Sequence, residues 1–555
     1  MKRSLLFLLI LILPILSFSQ GNNQVLPFSW SENFNDTRNT IDPIVLPPLD
    51  LETIIAEDSI NDLDKSMPWR YGIKRPLMLD FENNGEWTEL PNNRGRVWRV
   101  AINSPEAINL SINFNEFELP EGTMLHLYND DQSDISKTYT SEQNRENQLL
   151  GSWFISGDII WVEYYEPSNV EEIVKLEIGS VIHGYRMGRV HQMLEGRGLN
   201  DSGDCNYDVN CPIGIDFDTQ KDLVKKTVAI LNLGNGFLCS TSLINNTEGD
   251  KTPYLLTANH CLENSEPAFW SVRFNWMSPN PICGNSEESL GIQTNFTMSG
   301  AELKANNSLS DFALVKLYNP IPDSWDVAFA GWDNTDESPE FEIGIHHPSG
   351  DIMKICRDDS GAIHENANGT EVWLIGGVSV GTGDGWEIGT TESGSSGSPL
   401  FNENARIIGQ LYAGQAFCNG EENNNDYDIY GRFGVSWNAG ATPETRLRDW
   451  LDPNNTGQTT TETIQNILNT PDFEESGALE IYPNPATTVI SVYNNRYPNL
   501  EFSFFDILGK KLYGGKMSNT YNNINVERLA EGIYFLYLID TDTNKNVTKK
   551  IIISR

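Results

Sequence analysis

The feature that most constrains this chain is its recurrent short alternation of apolar and polar residues, closed each time by Gly, Asn, Asp or Pro. Between residues 67 and 199 it runs through RVWRVAI, AINLSINF, TMLHLYN, GDIIWVEYYEP and VKLEIGSVIHGY. A period of two puts every second side chain on one face, so such runs specify layered antiparallel sheets and exclude helical packing. The same signal returns in KKTVAILNL, FLCSTSLI, YLLTANH, DFALVKLY and RIIGQLYAG, and again in VISVYN, EFSFFDILG, IYFLYLID and KKIIISR near the C-terminus. One helix is predicted, with Thr442 as cap, Pro443 in first position, Leu447, Trp450 and Leu451 at i, i+3, i+4, and Pro453 as stop. The expectation is an all-β protein: a β-sandwich over 67–199, paired β-barrels over 200–453 and a small β-sandwich over 479–555. Residues 20–66 show no sustained period and read as an extended leader, and the Thr/Asn-rich 454–478 as a linker.

Length and composition agree with several folded domains. At 555 residues, with about one domain per 150, three or four are expected. Residues 1–19 form an expected secretory signal: Lys2 and Arg3 precede a short apolar run that ends in small residues. No later segment has 18 consecutive apolar residues, so no membrane span is expected. The formal net charge of −39 argues against nucleic acid and anionic membrane as partners and favours cationic ones. Seven cysteines, all between Cys205 and Cys418, mark the middle region of an exported chain as the one needing staples and leave one thiol over. Metal-type CxxC pairs are absent, so no zinc and no other cofactor is expected.

Three segments of the middle region carry nucleophile chemistry. Cleaving an amide with a serine needs an exposed hydroxyl, an imidazole to take its proton and a carboxylate to fix the imidazole's tautomer. LLTANHC offers His260, SLSDFALVKL offers Asp311, and ESGSSGSPLF offers Ser396, each at the end of an apolar strand. Taken singly, the first is a core histidine, the second a strand-entry cap and the third a Gly/Ser turn. Their joint occurrence in the order His, Asp, Ser within one cysteine-bearing β region matches the chymotrypsin-like arrangement. His346 and His347 invite a metal reading, but neighbours on a strand point to opposite faces and could hardly share an ion. The acidic loops YNDDQSD and EENNNDYD lack an EF-hand pattern.

With these motifs in place, residues 200–455 resemble the secreted bacterial lysyl endopeptidases, a branch of the chymotrypsin-like serine proteases. SGDCNYDVNCP, TANHC, SDFALVKL, AGWD, IHHPSG, ESGSSGSPLF, GQLYAG, YDIYGR and RLRDWLDP fall in that family's order. The resemblance implies a double β-barrel with the site in the cleft, His260 as base then acid, Asp311 as its orienting carboxylate, and Ser396 as nucleophile. The N–H groups of Gly394 and Ser396 would form the oxyanion hole. It also implies the bridges Cys205–Cys418, Cys211–Cys283 and Cys239–Cys261, leaving Cys356 as a free buried thiol. Asp428, in the frame NDYDIYGR, falls where the family places a carboxylate at the base of its specificity pocket, so substrates with basic side chains, lysine first, are implied. Related enzymes stack a tryptophan on a histidine beside the triad; Trp373 keeps the spacing, whereas Tyr412 stands at the histidine's position, leaving the preference for lysine over arginine open. An arginine-accepting protease and a surface adhesin with a protease-derived fold are the rival readings.

The sandwich over 67–199 resembles the propeptides that precede such proteases, implying a folding aid and inhibitor. No lysine lies between Lys175 and Lys221, yet Arg186, Arg189 and Arg197 line the joint, so maturation is expected near Arg197. The tail, from LEIYPNPATTVISV through LAEGIYFLYLID to KKIIISR, resembles the C-terminal sorting domain of the type IX secretion system, which implies that machinery as a partner and a secreted or cell-surface location. A monomer is expected.

Overall fold

The computed structural model describes residues 25–30, 41–186, 202–214, 216–279, 281, 283, 296–377, 380–382, 385–418, 426–465, 479–494, 500–506, 510–517, 520–540 and 546–554. The fold is nearly all β, with 44% of the described residues in strands and 12% in helices. It divides into two compact units, one ending at Asn466 and the other beginning at Ile467.

In the first unit, alternation becomes a sandwich of two five-stranded sheets. One runs in the order Ile44–Val45, Arg96–Asn103, Ile159–Glu166, Met124–Asn129, with Glu86–Glu89 also on Arg96–Asn103; the other runs Gly72–Asp80, Lys175–Gly184, Asn109–Glu118, Leu150–Gly151, with Ile155–Ser156 on Asn109–Glu118. Their inner faces bury Val100, Ile102, Leu110, Ile112, Leu125, Val162 and Val181 in one core.

Two eight-stranded sheets build the cysteine-bearing region. The first runs Thr297–Ser299, Ser271–Phe274, Val228–Asn232, Phe237–Ile244, Tyr254–Ala258, Phe312–Leu317, Ala301–Asn307. Its eighth strand is Trp69–Arg70, which pairs with Phe237–Leu238, so residues just before the sandwich strand Gly72–Asp80 join this sheet. The second contains Lys354–Asp358, Glu342–His346, Pro399–Asn402, Ile407–Gly414, Asp428–Arg432 and Thr370–Ile375 as neighbours. A shared core of Val228, Leu256, Phe312, Trp332, Ile345 and Phe401 holds the two sheets together. The expected bridges Cys205–Cys418, Cys211–Cys283 and Cys239–Cys261 are all formed, and Cys356 is free and buried.

Two expectations are corrected. The leader is not simply extended: Leu51–Asn61 is an 11-residue helix, capped by the Asp50 carboxylate on the Thr53 N–H. Its largely exposed apolar residues give no continuous stripe, so periodicity missed it. The single predicted helix at 442–453 breaks instead into a 3-10 turn, Pro443–Thr445, and a four-residue turn, Arg448–Leu451, because Arg446 is fully extended (φ −153°, ψ 157°). Short helices also occur at Asp218–Val224 and Phe433–Asn438.

The second unit is a small pair of sheets. Leu479–Tyr482, Val489–Asn494 and Tyr521–Asn525 form one; Lys511–Met517, Leu500–Phe505, Gly532–Asp540 and Asn546–Ile553 form the other. Between them lie Ile490, Val492, Phe504, Leu536 and Ile551. Among the described residues no helix is long and apolar enough to cross a membrane.

Candidate active site

Three chain segments from the middle region meet at one point. Strand Tyr254–Ala258 ends in the turn that carries His260, and the Cys239–Cys261 bridge ties that turn to the neighbouring strand. Asp311 sits between strands Ala301–Asn307 and Phe312–Leu317 with φ of +49°, a left-handed conformation that aspartate tolerates better than most residues. This turn aims its carboxylate at His260. One oxygen accepts the His260 backbone N–H at 3.0 Å, and the other meets the ring Nδ1 at 2.8 Å. An ionised carboxylate can only accept, so Nδ1 carries the proton and Nε2 is left as the basic nitrogen. Among the described residues, buried Nε2 has no hydrogen-bond partner.

The second sheet braces the aspartate from behind. Gln410 donates its amide to the carbonyls of Ser310 (2.7 Å) and Asp311 (3.3 Å). Gly431 is required for that approach, because a Cβ there would stand 1.8 Å from the Ser310 carbonyl oxygen.

Ser396 lies in the loop before strand Pro399–Asn402. The Ser240 N–H donates to the Ser396 carbonyl at 2.8 Å, and the Ser240 carbonyl accepts from Thr257 Oγ1 at 2.9 Å. Gly397 has φ of +80°, and a Cβ on it would lie 2.1 Å from Thr257 Oγ1 and 2.7 Å from the Ala258 nitrogen. Only glycine lets the serine loop close against the strand that presents His260. On its other side the Gly397 N–H bonds the Leu411 carbonyl at 2.9 Å, and the next ring, Tyr412, is centred 6.2 Å from His260. The Ser396 hydroxyl donates to the carbonyl of Lys65 at 3.2 Å. Among the described residues, no hydrogen bond occupies the backbone N–H of Gly394 or Ser396, and Gly394 has φ of +95°.

Behind the serine loop, Asp428 is fully buried. Its Oδ2 accepts from Trp386 Nε1 at 2.8 Å and Thr391 Oγ1 at 2.7 Å, and its Oδ1 pairs with the Lys65 ammonium. That ammonium also reaches Thr391 Oγ1 at 2.8 Å, the Ala416 carbonyl at 2.9 Å and the Thr391 carbonyl at 3.3 Å. Burial pushes the Asp428 carboxyl above the usual carboxylate range, and the charge of Lys65 opposes that rise.

Trp373 is not brought to the cleft. It lies in the core, its indole N–H on the Ile408 carbonyl at 2.9 Å and its ring beside His364 at 4.6 Å. Tyr412, at the position expected to stack with it, is centred 6.2 Å from His260, and among the described residues no ring contact joins it to Trp373. His346 and His347 are buried structural groups: His346 Nδ1 meets Ser395 Oγ at 2.8 Å, and His347 Nδ1 meets the Asp351 carbonyl at 3.0 Å. Burial holds His347 down to about 4. A cluster of Cys239, His260 and Cys261 has metal-like spacing, but its two sulfurs are bonded to each other. Sequence reasoning missed Trp386, Thr391 and Lys65. Trp386 stands in the Gly-rich GTGDGWEIGT and Lys65 in an acidic leader, neither of which carries a periodic or motif signal. The expected cut near Arg197 lies outside the described residues.

Comparison with known proteins follows the same division. Residues 199–431 match the family model of the lysyl endopeptidase C-terminal domain, and residues 480–554 match that of the secretion system C-terminal sorting domain. A lysyl endopeptidase of Pseudomonas aeruginosa is 23% identical over 360 residues, which cover 62% of this chain and 74% of the relative. Among solved structures, PorZ, a bacterial surface component of the type IX secretion system of Porphyromonas gingivalis, overlaps at 8% identity, 57% of this chain and 33% of that chain, with a TM-score of 0.13. The chain thus spans about a third of PorZ. The CUB1-EGF-CUB2 domains of rat MASP-1 overlap at 10% identity, 45% of this chain and 93% of that chain, with a TM-score of 0.16. The resemblance to lysyl endopeptidases and to the type IX sorting domain is thus established, and with it a protease-like function and a secreted or cell-surface location.

Proposed function

We propose that this chain is the precursor of a serine endopeptidase that cleaves after lysine through His260, Asp311 and Ser396. The Asp311 carboxylate holds the imidazole with Nε2 free to accept the proton of Ser396 as its Oγ attacks the substrate carbonyl. The same nitrogen then returns the proton to the leaving amine, and water repeats the sequence on the acyl-enzyme. The N–H groups of Gly394 and Ser396 receive the negative charge that develops on the carbonyl oxygen, a contribution of about 10²–10³ in turnover per donor in such sites.

The observation that carries the lysine reading is the seating of Lys65 at Asp428. An ammonium has three hydrogens, and the pocket offers three directions of acceptance: Asp428 Oδ1, Ala416 O and the paired oxygens of Thr391. A guanidinium is planar and carries five donors, so it would leave some unpaired in this buried site and is disfavoured. A neutral side chain would leave Asp428 buried and uncompensated. Arginine is therefore accepted poorly.

The test is a product map of the mature protein on a mixed peptide library beside the Ser396→Ala variant. Cleavage after lysine in the first and none in the second is expected. Equal cleavage after arginine would refute the specificity, and undiminished cleavage by Ser396→Ala would refute the serine mechanism.

A further inference from the structure

The lysine in that pocket belongs to the chain's own leader, and its surroundings bear on how the precursor is controlled. The segment from Asp62 to Met67 crosses the candidate site. Ser393 Oγ donates to the Asp62 carbonyl at 2.9 Å, Ser396 Oγ donates to the Lys65 carbonyl at 3.2 Å, and the Lys65 side chain is 95% buried with its ammonium on Asp428. Both ends of the segment are clamped. Upstream, Asp58 of the leader helix receives Arg70 Nε at 2.7 Å and the Tyr185 hydroxyl at 2.5 Å. Downstream, Trp69–Arg70 is hydrogen-bonded into the sheet that carries His260. Arg186, at the end of the sandwich's last strand, closes the clamp: it takes both oxygens of Asp62 (2.5 and 2.9 Å), donates to the Arg70 carbonyl at 2.7 Å and lies 4.4 Å over the Trp69 ring.

We infer that residues 62–67 are an intramolecular plug, with Lys65 occupying the specificity pocket in place of a substrate lysine and holding the precursor silent. The inference rests on the lysine-specific reading above. Three features make the segment an inhibitor rather than a substrate. The Ser396 hydroxyl donates its hydrogen to the Lys65 carbonyl oxygen, so it is directed at that oxygen, while His260 Nε2 has no partner among the described residues. Attack needs the reverse, with Oγ bonded to the imidazole and facing the carbonyl carbon. The nitrogen that would leave, the Ser66 N–H, is held by the Asp64 carboxylate at 2.9 Å, with the Ser66 hydroxyl on the same oxygen at 2.6 Å. The chain also folds back in a turn, Met67 N–H to Asp64 carbonyl at 3.4 Å, in place of the extended run through the cleft that a cleavable peptide adopts. Tethering at both ends gives the plug an effective concentration in the millimolar range, which outcompetes a dilute external peptide.

The test uses the full-length precursor and a fluorescent fluorophosphonate that labels reactive serines. The labelling rate is read on the uncleaved band of a gel, so that processing during the assay does not enter. Lys65→Met keeps an unbranched apolar stem and removes the cation that pairs with buried Asp428; its uncleaved band is expected to label at least tenfold faster than wild type. Arg186→Ala, which leaves the pocket intact and opens the clamp, is expected to accelerate labelling in the same direction. Equal rates for wild type and both variants would overturn the plug, as would a wild-type fragment beginning at Ser66, which would make the segment a substrate. The mature protein separates the two readings: if it labels and cleaves after lysine while the precursors label alike, only the plug fails; if it neither labels nor cleaves, the protease reading fails with it.

Discussion

Replacing Asp428 with Asn in the mature protein removes one charge at the bottom of the pocket and leaves a side chain of the same shape. In the present geometry the carboxylate is fully buried, takes two neutral donors on Oδ2 and gives Oδ1 to the lysine cation. Removing one member of a buried ion pair costs about 3–5 kcal/mol, because the other charge is left desolvated and unpaired. At 1.36 kcal/mol per decade this is a loss of roughly 10²–10⁴ in kcat/KM for a lysyl peptide. A peptide with norleucine at the cleaved position, equal in stem and lacking the cation, should lose little or gain, so the ratio of the two measures the pair itself. The ratio also carries a pH signature. Because burial raises the Asp428 carboxyl above the usual range even beside the Lys65 ammonium, a proton must leave Asp428 before a lysine can pair with it. The wild-type Lys-to-norleucine ratio should therefore fall with acidification, whereas that of Asp428→Asn should stay flat. Coumarin-amide substrates of the two peptides, assayed from pH 4 to 8, give both quantities. A loss under threefold on lysine, or a ratio with the same pH course in both proteins, would refute the assignment.

Three further outcomes are expected. Asp311→Asn preserves the fold but lets the side-chain amide face Nδ1, favouring the wrong imidazole tautomer; kcat on lysyl peptides should fall by about 10⁴ with KM little changed, and a fall under tenfold would contradict the role. Gly397→Ala sets a methyl 2.1 Å from Thr257 Oγ1 at φ of +80°, which must shift the serine loop; about 1 Å of misplacement costs on the order of 10²-fold in kcat, read beside a lowered melting temperature. Glu342, facing Asp358 across two strands with both buried, has its carboxyl raised well above 4.5 by burial first and by Asp358 second. The folded state therefore keeps a proton that the unfolded chain has lost, so stability present below pH 4.5 is lost as pH rises toward the folded pKa, by up to about 1.36 kcal/mol per unit. Glu342→Gln should flatten that slope in denaturant titrations, and an unchanged slope would count against the proton retained on Glu342.

The parts of this molecule legible in its sequence are those set by local pattern. Strands such as Ile159–Glu166 and Phe312–Leu317 show themselves through their short apolar runs, and His260, Asp311 and Ser396 because each follows or enters an apolar strand in a fixed order. What was hidden depends on contacts between distant residues. Trp386 donates to Asp428 across 42 positions and Lys65 reaches it across 363, separations that no window of sequence reports. The leader helix Leu51–Asn61 was missed because its capping aspartate, not an apolar stripe, defines it. The helix predicted at 442–453 failed for the opposite reason: its spacing was helical, but Leu447 and Leu451 are drawn into the core shared by the two sheets, and the chain extends at Arg446 to deliver them. Trp373 keeps the spacing, but its side chain lies in the second sheet's core, a placement that spacing alone does not report.

In the proposed mechanism one serine among the four in residues 393–398, held between the His260 strand and the Leu411–Tyr412 strand, is the nucleophile. Reaction of the mature protein with diisopropyl fluorophosphate, followed by peptide mass mapping, tests it most directly. A single adduct on Ser396, rising in step with the loss of lysyl-peptide cleavage, is the predicted result. An adduct on Ser393, Ser395 or Ser398, or full cleavage activity after exhaustive treatment, would contradict it.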